Sequence, residues 1–216
     1  MAQATVLLDT HDQRAFTLYR EQRIEVPLKR ISPHLVRAIV AVEDQRFYDH
    51  DGIDLVRVAG AAFNNVRQGS RSQGGSTLTQ QLARNSFLTP EKTYTRKIKE
   101  LVLARRIEAE YSKDQILEMY LNKVYFGAGL YGAEAAALGY FGMPAADLSL
   151  AQAALLAGLV KSPSTYAPTV NLARATSRRN LVLSVMRDSG IITKGQHAEA
   201  VREPIVLEDS LRRGEG

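Results

Sequence analysis

The chain contains no cysteine among its 216 residues. Disulfides, thiolate zinc sites and cysteine nucleophiles are therefore excluded, whereas the redox compartment stays open because exported proteins need not contain disulfides. Long apolar runs are also missing: residues 151–160 form the longest, and a bilayer span takes roughly 20 residues. The opening MAQATVLLDTHD lacks the charged and apolar regions of a signal peptide. We therefore expect either a cytoplasmic protein or one separated from an upstream membrane anchor.

The composition allows a sizeable core and favours an anionic partner. Hydrophobic residues make up 45% of the chain and charged residues 24%, which suits one compact domain, divided at most into two lobes. The formal net charge is +5. Such an excess of basic residues is typical of proteins that bind phosphate, nucleic acid or an acidic membrane surface.

The hydrophobic pattern predicts a mainly α domain with a small N-terminal β element. Residues 5–9 and 14–19 flank a polar turn and predict two strands. From Ser32 onward the pattern is helical, with glycine-containing turns between the helices. The predicted helix starts are Ser32, Asp54, Ser76 or Thr77, Thr89, Ser112, Ser149 and Thr193, of which the last three fit the capping-box pattern.

The segment AIVAVEDQRFYDHDG, residues 38–52, places adjacent acids at the end of a predicted helix. Glu43 and Asp44 fall near its C-terminus, where the helix dipole disfavours negative charge. A carboxylate in that position, with His50 nearby, suits a general base or acid near neutral pH. The alternative is a solvated turn whose acids pair with Arg46 or Arg57.

The segment QGGSTLTQQLARN, residues 73–85, leads from paired glycines into a helix N-terminus. Backbone N–H groups there, with the hydroxyls of Ser76 and Thr77, predict an anion site. The segment is not a Walker A loop, because the Gly-Lys-Ser/Thr ending is missing. A mobile loop before an ordinary capped helix remains the alternative.

Two further segments carry cations. In RKIKE, Arg96 and Glu100 lie four residues apart on one helix face with Lys97 beside them, which indicates either an exposed ion-paired surface or a cationic cleft. In LVKSPSTYAP, Lys161 follows an apolar helix, where its charge also suits the helix dipole.

Together these segments resemble the peptidoglycan glycosyltransferase domain of class A penicillin-binding proteins and of monofunctional glycosyltransferases. EDQRFYDHDG, GGSTLTQQLARN, RKIKE, ILEMYLNKVYFGAGLYG and LSLAQAALLAGLVKSPSTYAP match five ordered motifs, over roughly residues 31–190. No Ser-x-x-Lys occurs in the chain, so we expect no penicillin-binding chemistry from it.

The resemblance implies a lysozyme-like, bilobed helical fold and the polymerisation of lipid II with inversion and release of undecaprenyl pyrophosphate. It implies Glu43 as general base and Glu100 as the second catalytic acid. The implied substrate-binding residues are Asp44, Phe47, His50, Gly75, Ser76, Thr77, Gln81, Arg84, Arg96, Lys97, Asn122 and Lys161. Arg84 stands where the family usually has lysine; the charge is kept, but a planar fork binds phosphate differently from a point charge, so the role that the family gives this position does not carry over in detail.

The implied organisation is a β segment and linker at 1–30, a glycosyltransferase domain at 31–205 with a mobile jaw near 60–90, and a disordered tail at 206–216. The implied cofactor is at most a divalent cation, magnesium or manganese. The expected partners are lipid II, the nascent glycan, a membrane surface, a transmembrane anchor and a transpeptidase module, but no nucleic acid. The implied location is the extracytoplasmic face of the bacterial plasma membrane, and moenomycin is the expected inhibitor.

Two other functions fit parts of the pattern. A lysozyme-like lytic glycosidase would use a lone glutamate as acid, but it would not need the basic cluster. A non-enzymatic anion-binding module would need the cations but not Glu43.

Overall fold

The computed structural model describes residues 5–8, 14–18, 22–60, 75–88 and 93–208, with side chains from residue 23 onward. Within these ranges the helices are α1 (Pro33–Glu43), α2 (Leu78–Phe87), α3 (Tyr94–Glu110), α4 (Lys113–Lys123), α5 (Ala133–Phe141), α6 (Leu150–Leu159), α7 (Pro163–Tyr166), α8 (Leu172–Asp188) and α9 (Lys194–Arg202). Residues 55–60 are also helical. No described helix has the length and apolar character needed to cross a membrane.

Two small sheets accompany the helices. Strands β1 (Thr5–Leu8) and β2 (Arg14–Leu18) form an antiparallel pair, which confirms the predicted N-terminal β element. A second sheet was not predicted: β3 (Gln22–Arg23) pairs in parallel with β5 (Leu130–Tyr131), which pairs antiparallel with β4 (Tyr125–Gly127). The second sheet therefore joins part of the predicted 1–30 segment to the helical domain.

Side-chain caps explain where the helices begin. Ser32 caps α1 ahead of Pro33, and Ser112, Ser149 and Thr193 form complete capping boxes on α4, α6 and α9, as the sequence predicted. The helix expected from Thr89 begins instead at Tyr94, capped by Thr93; residues 89–92 lie outside the described ranges.

Two groups of helices build the core and carry the candidate site between them. α6 is almost entirely buried, as its alanine- and leucine-rich sequence requires, and it packs against α1 and α8. α2 packs against α3 and α4. The site segments lie where the C-terminus of α1 meets the N-terminus of α2, so both groups contribute to it.

Two predicted segments lie only partly within the described residues. Of the predicted mobile jaw at 60–90, residues 61–74 and 89–90 lie outside the described ranges, but residues 78–83 are buried in α2 and belong to the core. Of the tail predicted at 206–216, Leu207 packs against the core and the Glu208 N–H donates to the Tyr140 carbonyl at 2.9 Å. Residues 209–216 are outside the described part.

Candidate active site

The two adjacent acids lie at the end of α1, as predicted, but in different surroundings. Glu43 is the last helical residue and is half-buried at the edge of a cleft. Asp44 is the C-cap and its side chain is fully buried. Its carboxylate accepts from the Leu78 backbone N–H at 3.0 Å, which ties the end of α1 to the first turn of α2.

His50 completes the surroundings of Asp44. The Gly52 backbone N–H donates to His50 Nδ1 at 3.2 Å, so the ring proton is on Nε2, which lies 3.1 Å from both Asp44 oxygens. The ring of Phe47 is fully buried and stands edge-on to His50. Lys113, which the sequence analysis missed, covers the Phe47 ring at 4.5 Å and donates to the His50 carbonyl. These contacts make His50 and Phe47 supports of the acidic segment.

Gly52 is the point where this segment meets α2 and α3. Its φ of +85° lies in the left-handed region, and a Cβ there would stand 3.0 Å from the Ala104 carbonyl oxygen of α3. Its own carbonyl accepts from Thr77 Oγ1 at 2.7 Å and from Gln80 Nε2 at 3.2 Å. A side chain at this position would therefore be strained and would push this segment away from α3.

Gln81 connects α2 to Glu43. Its amide Nε2 donates to Glu43 Oε2 at 2.9 Å, and its Oε1 accepts from the Tyr120 hydroxyl at 3.3 Å. Tyr120, on α4, is 1% exposed. Burial, and then the neighbouring Glu43 carboxylate, raise the pKa of Tyr120 well above its usual value, so the hydroxyl stays protonated. Sequence reasoning identified Gln81 but missed Tyr120.

Only part of the predicted anion-binding segment, the part next to the N-terminus of α2, lies within the described residues. Thr77 caps the helix and accepts from the Gln80 N–H at 3.2 Å. Because its hydroxyl also donates to Gly52, Thr77 is occupied by structural contacts. Gly75 and Ser76 are half-buried, and residues 71–74 lie outside the described ranges.

A charged cluster on α3 adjoins that helix start. Glu100 is 1% exposed, and its Oε2 accepts from Lys97 Nζ at 3.0 Å. Arg96 Nε lies 3.2 Å from Glu100 Oε1, close enough for an ion pair although the two atoms are not aligned as a hydrogen bond. Lys97 also donates to Ser76 Oγ at 2.8 Å and to Gln80 Oε1 at 3.2 Å. RKIKE is thus a partly buried ion cluster rather than a purely solvated face.

An open cleft of about 490 Å³ adjoins Glu43. Lys161, just after the end of α6, and Arg178, on α8, line it, and Arg46 and Arg57 line it beside Asp54. Arg57 donates to the Glu43 backbone carbonyl and has its Nη1 3.9 Å from Asp44 Oδ1, while Arg46 pairs with Asp54 at 3.5 Å. The solvated-turn alternative anticipated these arginines, but Asp44 is buried and Glu43 faces a cleft.

Two predicted substrate-binding residues lie apart from these contacts. The Asn122 amide is taken up by backbone groups: it accepts from Val26 N–H at 3.0 Å and donates to the carbonyls of Val26 and Glu118. It therefore anchors the chain before α1 to α4, and its contacts give no support to a role in binding substrate. Arg84 is half-buried on α2, and its charge acts on Tyr120.

The described residues do not fit a protein-held metal ion. No group of three or more His, Cys, Asp or Glu side chains among them could hold one. Asp44 is committed to His50 and α2, and Glu100 to Lys97 and Arg96. The divalent cation implied by the resemblance stays a prediction, and no chemical step is assigned to it.

The domain is helical and places a half-buried glutamate at a cleft, next to a cationic cluster. Comparisons with known proteins identify the class to which such a domain belongs. The family described as Transglycosylase matches residues 11–187. A Cupriavidus necator protein named "Putative transglycosylase" is 46% identical over 193 residues, which cover 89% of this chain and 83% of that protein. The chain belongs to the transglycosylase family.

Larger proteins are similar over the same region. Penicillin-binding protein 1A of Escherichia coli is 51% identical over 185 residues, which cover 86% of this chain and 22% of that protein. Penicillin-binding protein 1A of Aquifex aeolicus is 47% identical over 205 residues, which cover 95% of this chain and 28% of that protein. The crystal structure of penicillin-binding protein 1A from Haemophilus influenzae superposes with a TM-score of 0.60 at 26% identity, covering 96% of this chain and 21% of that one. This chain thus spans about a quarter of these relatives, and the superposition confirms the mainly α, lysozyme-like fold.

Proposed function

We propose that the chain is a peptidoglycan glycosyltransferase that polymerises lipid II, with inversion at the donor sugar and release of undecaprenyl pyrophosphate. Membership of the transglycosylase family supports the reaction class. One observation carries the assignment of residues: the first two turns of α2 contact both acidic centres. Gln81 donates to Glu43, while Ser76 and Gln80, beside it, accept from the Lys97 that pairs with Glu100.

Glu43 acts as the general base in this proposal. A sugar hydroxyl is a weak nucleophile, and the 4-hydroxyl of the acceptor N-acetylglucosamine becomes stronger as its proton passes to the Glu43 carboxylate. The oxygen then bonds to the anomeric carbon of the donor as the bond to pyrophosphate breaks on the opposite face, which inverts the configuration. The half-buried position of Glu43 on the cleft gives such a hydroxyl access.

The cationic cluster serves the leaving group. Pyrophosphate departs as an anion and needs preorganised cations and dipoles rather than a strong acid. Lys97 and Arg96 supply the positive charge, and Glu100 holds both side chains in place. Lys161 lies in the Glu43 cleft and is proposed to bind phosphate oxygens there. A lytic glycosidase, in contrast, would not need this cationic cluster.

The wider setting is also part of the proposal. Lipid II resides in a membrane, so the chain works at the extracytoplasmic face of the bacterial plasma membrane, where its basic excess suits an anionic surface. Because the chain spans only about a quarter of the similar penicillin-binding proteins, we place it beside an anchor and a transpeptidase module.

The test is polymerisation of lipid-linked precursor, with glycan strands resolved on a gel. Strands should form with the wild-type chain, disappear with moenomycin, and be lost in Glu43→Gln. No strands under conditions where a known synthase works would refute the proposal. Shortening of preformed glycan would instead favour the lytic alternative, and anion binding untouched by Glu43→Gln would favour a non-enzymatic module.

A further inference from the structure

We infer that Lys113 is a positioning residue that fixes the acidic segment, residues 43–52, against the start of α2. The inference rests on the proposed function, because the residue that is positioned in this way is Glu43, the proposed base. Lys113 is the first residue of α4, where the helix dipole disfavours a cation. Helix stability therefore does not explain a lysine at this position.

The Lys113 ammonium contacts α3 and the acidic segment at the same time. Its Nζ lies 2.9 Å from each carboxylate oxygen of Glu108, near the end of α3. It also donates to the His50 backbone carbonyl and lies 4.5 Å from the centre of the Phe47 ring. An ordinary ion pair between two consecutive helices would explain the contact with Glu108. It does not explain the two contacts with the acidic segment.

These contacts close a ring of hydrogen bonds joined by short stretches of backbone. Thr79, the second residue of α2, donates from Oγ1 to Glu108 Oε1 at 2.6 Å. Its neighbour Leu78 donates its backbone N–H to the Asp44 carboxylate at 3.0 Å, and His50 Nε2 donates to the same carboxylate at 3.1 Å. The ring thus passes in order through Asp44, Leu78, Thr79, Glu108, Lys113 and His50.

Burial makes each link of the ring difficult to replace. Asp44, Leu78 and Thr79 are fully buried, and the Glu108 side chain is 5% exposed. Water is therefore not at hand to replace a partner that is lost, and a buried polar group without a partner is costly. The link through Lys113 ties the acidic segment to α3 and α4. Removal of its ammonium opens the ring at that link.

The ring spans the same junction that holds the proposed base. Glu43 immediately precedes Asp44, and Gln81, whose amide donates to Glu43 at 2.9 Å, lies one turn beyond Leu78. The bond between Glu43 and Gln81 therefore joins the end of α1 to the first turns of α2, as the ring does. When the ring opens, these two helix ends can move apart. The base then loses its position relative to a bound substrate.

The test is backbone hydrogen exchange at Leu78, measured by NMR on the protein without substrate. The N–H of the first residue of a helix has no acceptor within that helix, so exchange at Leu78 reports its contact with Asp44. In Lys113→Met this exchange should become about tenfold faster. Amides of the core, followed in the same spectra, measure any general loss of stability.

Arg179→Met is the matched control. Arg179, on α8, is a buried cation that also donates to two backbone carbonyls, but it lies outside the ring. Its replacement should leave exchange at Leu78 unchanged relative to the core amides. An unchanged rate at Leu78 in Lys113→Met, or an equal acceleration in Arg179→Met, overturns the inference.

Thr79→Val covers the case in which Lys113→Met does not fold. Valine keeps the buried volume but removes the donor to Glu108, so the ring opens at a different link. Exchange at Leu78 should become roughly threefold faster, because a single hydrogen bond is lost. No acceleration in this variant would contradict the inference.

The kinetics of polymerisation separate a positioning role from a purely structural one. At a temperature where Lys113→Met is folded, its kcat should fall by about 10–100-fold, because the base is misplaced. Its KM for lipid II should change by less than about twofold, and Arg179→Met should keep both constants. An unchanged kcat in folded Lys113→Met overturns the positioning role. If the wild type does not polymerise lipid II, the proposed function fails, whereas the exchange rates still decide whether Lys113 closes the ring.

Discussion

The two glutamates of the candidate site, Glu43 and Glu100, differ in the contacts that hold them. Glu43 ends α1, is half-buried, and receives a hydrogen bond from the neutral amide of Gln81. Glu100 lies within α3, is 1% exposed, and contacts the cations Lys97 and Arg96. Both oxygens of Glu100 are thus taken up by cations, whereas Glu43, held by an amide through one oxygen, lies at the edge of the cleft. In the proposed mechanism the same residue type therefore has two tasks, as the base at Glu43 and as the support for cations at Glu100.

Glu43→Gln should have the largest effect on activity, a loss of about 10²–10⁴-fold, which is the usual contribution of a general base. Thermal unfolding should change little, because the amide fits the half-buried site. Polymerisation rate and melting temperature measure the two effects. Asp44→Asn is the matched comparison at the next residue: it disturbs the bonds to His50 and Leu78, so it should lower stability as well. The proposed difference between Glu43 and Asp44 would be contradicted if Glu43→Gln kept its activity and the two variants had equal melting temperatures.

Glu100→Gln should affect both properties. Loss of the buried carboxylate lets Lys97 and Arg96 move, and misplaced phosphate-binding groups should cost roughly 10–100-fold in rate. Stability should fall by about 1–2 kcal/mol, less than for a fully buried pair, because the Lys97 side chain is 44% exposed and can be solvated. Urea unfolding and polymerisation assays provide the measurements. A variant as active as wild type would show that Glu100 does not organise the cluster.

Asn122→Ala should affect stability alone. The variant loses the hydrogen bonds to the Val26 backbone and leaves those buried groups unpaired, which should cost about 1–3 kcal/mol. Activity per folded molecule should match wild type at a temperature where both are folded. A raised KM with unchanged stability would instead restore the substrate-binding role that the family resemblance implied.

Arg84→Lys should have the smallest effect, at most about threefold in rate, because charge is kept and only the planar fork is lost. The measurement is kcat and KM for lipid II at two salt concentrations. A loss comparable to that of Glu100→Gln would mean that Arg84 binds phosphate through two nitrogens at once.

Local sequence patterns predicted helix starts well and long-range contacts poorly. Ser32, Ser112, Ser149 and Thr193 were identified because a cap and its partner lie within three residues. The Asn122 contact spans 96 residues and the Gln81–Tyr120 contact spans 39, and nothing in the residue types distinguishes a side chain bound to backbone from one facing substrate. The parallel pairing of β3 with β5 was missed for the same reason, since two-residue strands carry no periodicity.

The site residues were found by motif, and their individual roles depend on geometry. The sequence placed Glu43 and Asp44 together, but only the structure shows that Glu43 is half-buried at the cleft and Asp44 is fully buried. Likewise, the sequence RKIKE is compatible with a solvated surface, and only the structure shows that Lys97 contacts Ser76 and Gln80 at the start of α2.

The backbone of Gly52 couples the motions of three parts of the site. Its N–H fixes the His50 ring beside Asp44, its carbonyl holds Thr77 and Gln80 at the start of α2, and its α-carbon rests against α3. A displacement of this one residue should therefore act both on the segment that carries Glu43 and on Gln80, which accepts from Lys97. The two acids should consequently show correlated rather than independent fluctuations, so that their separation varies less than the position of either one.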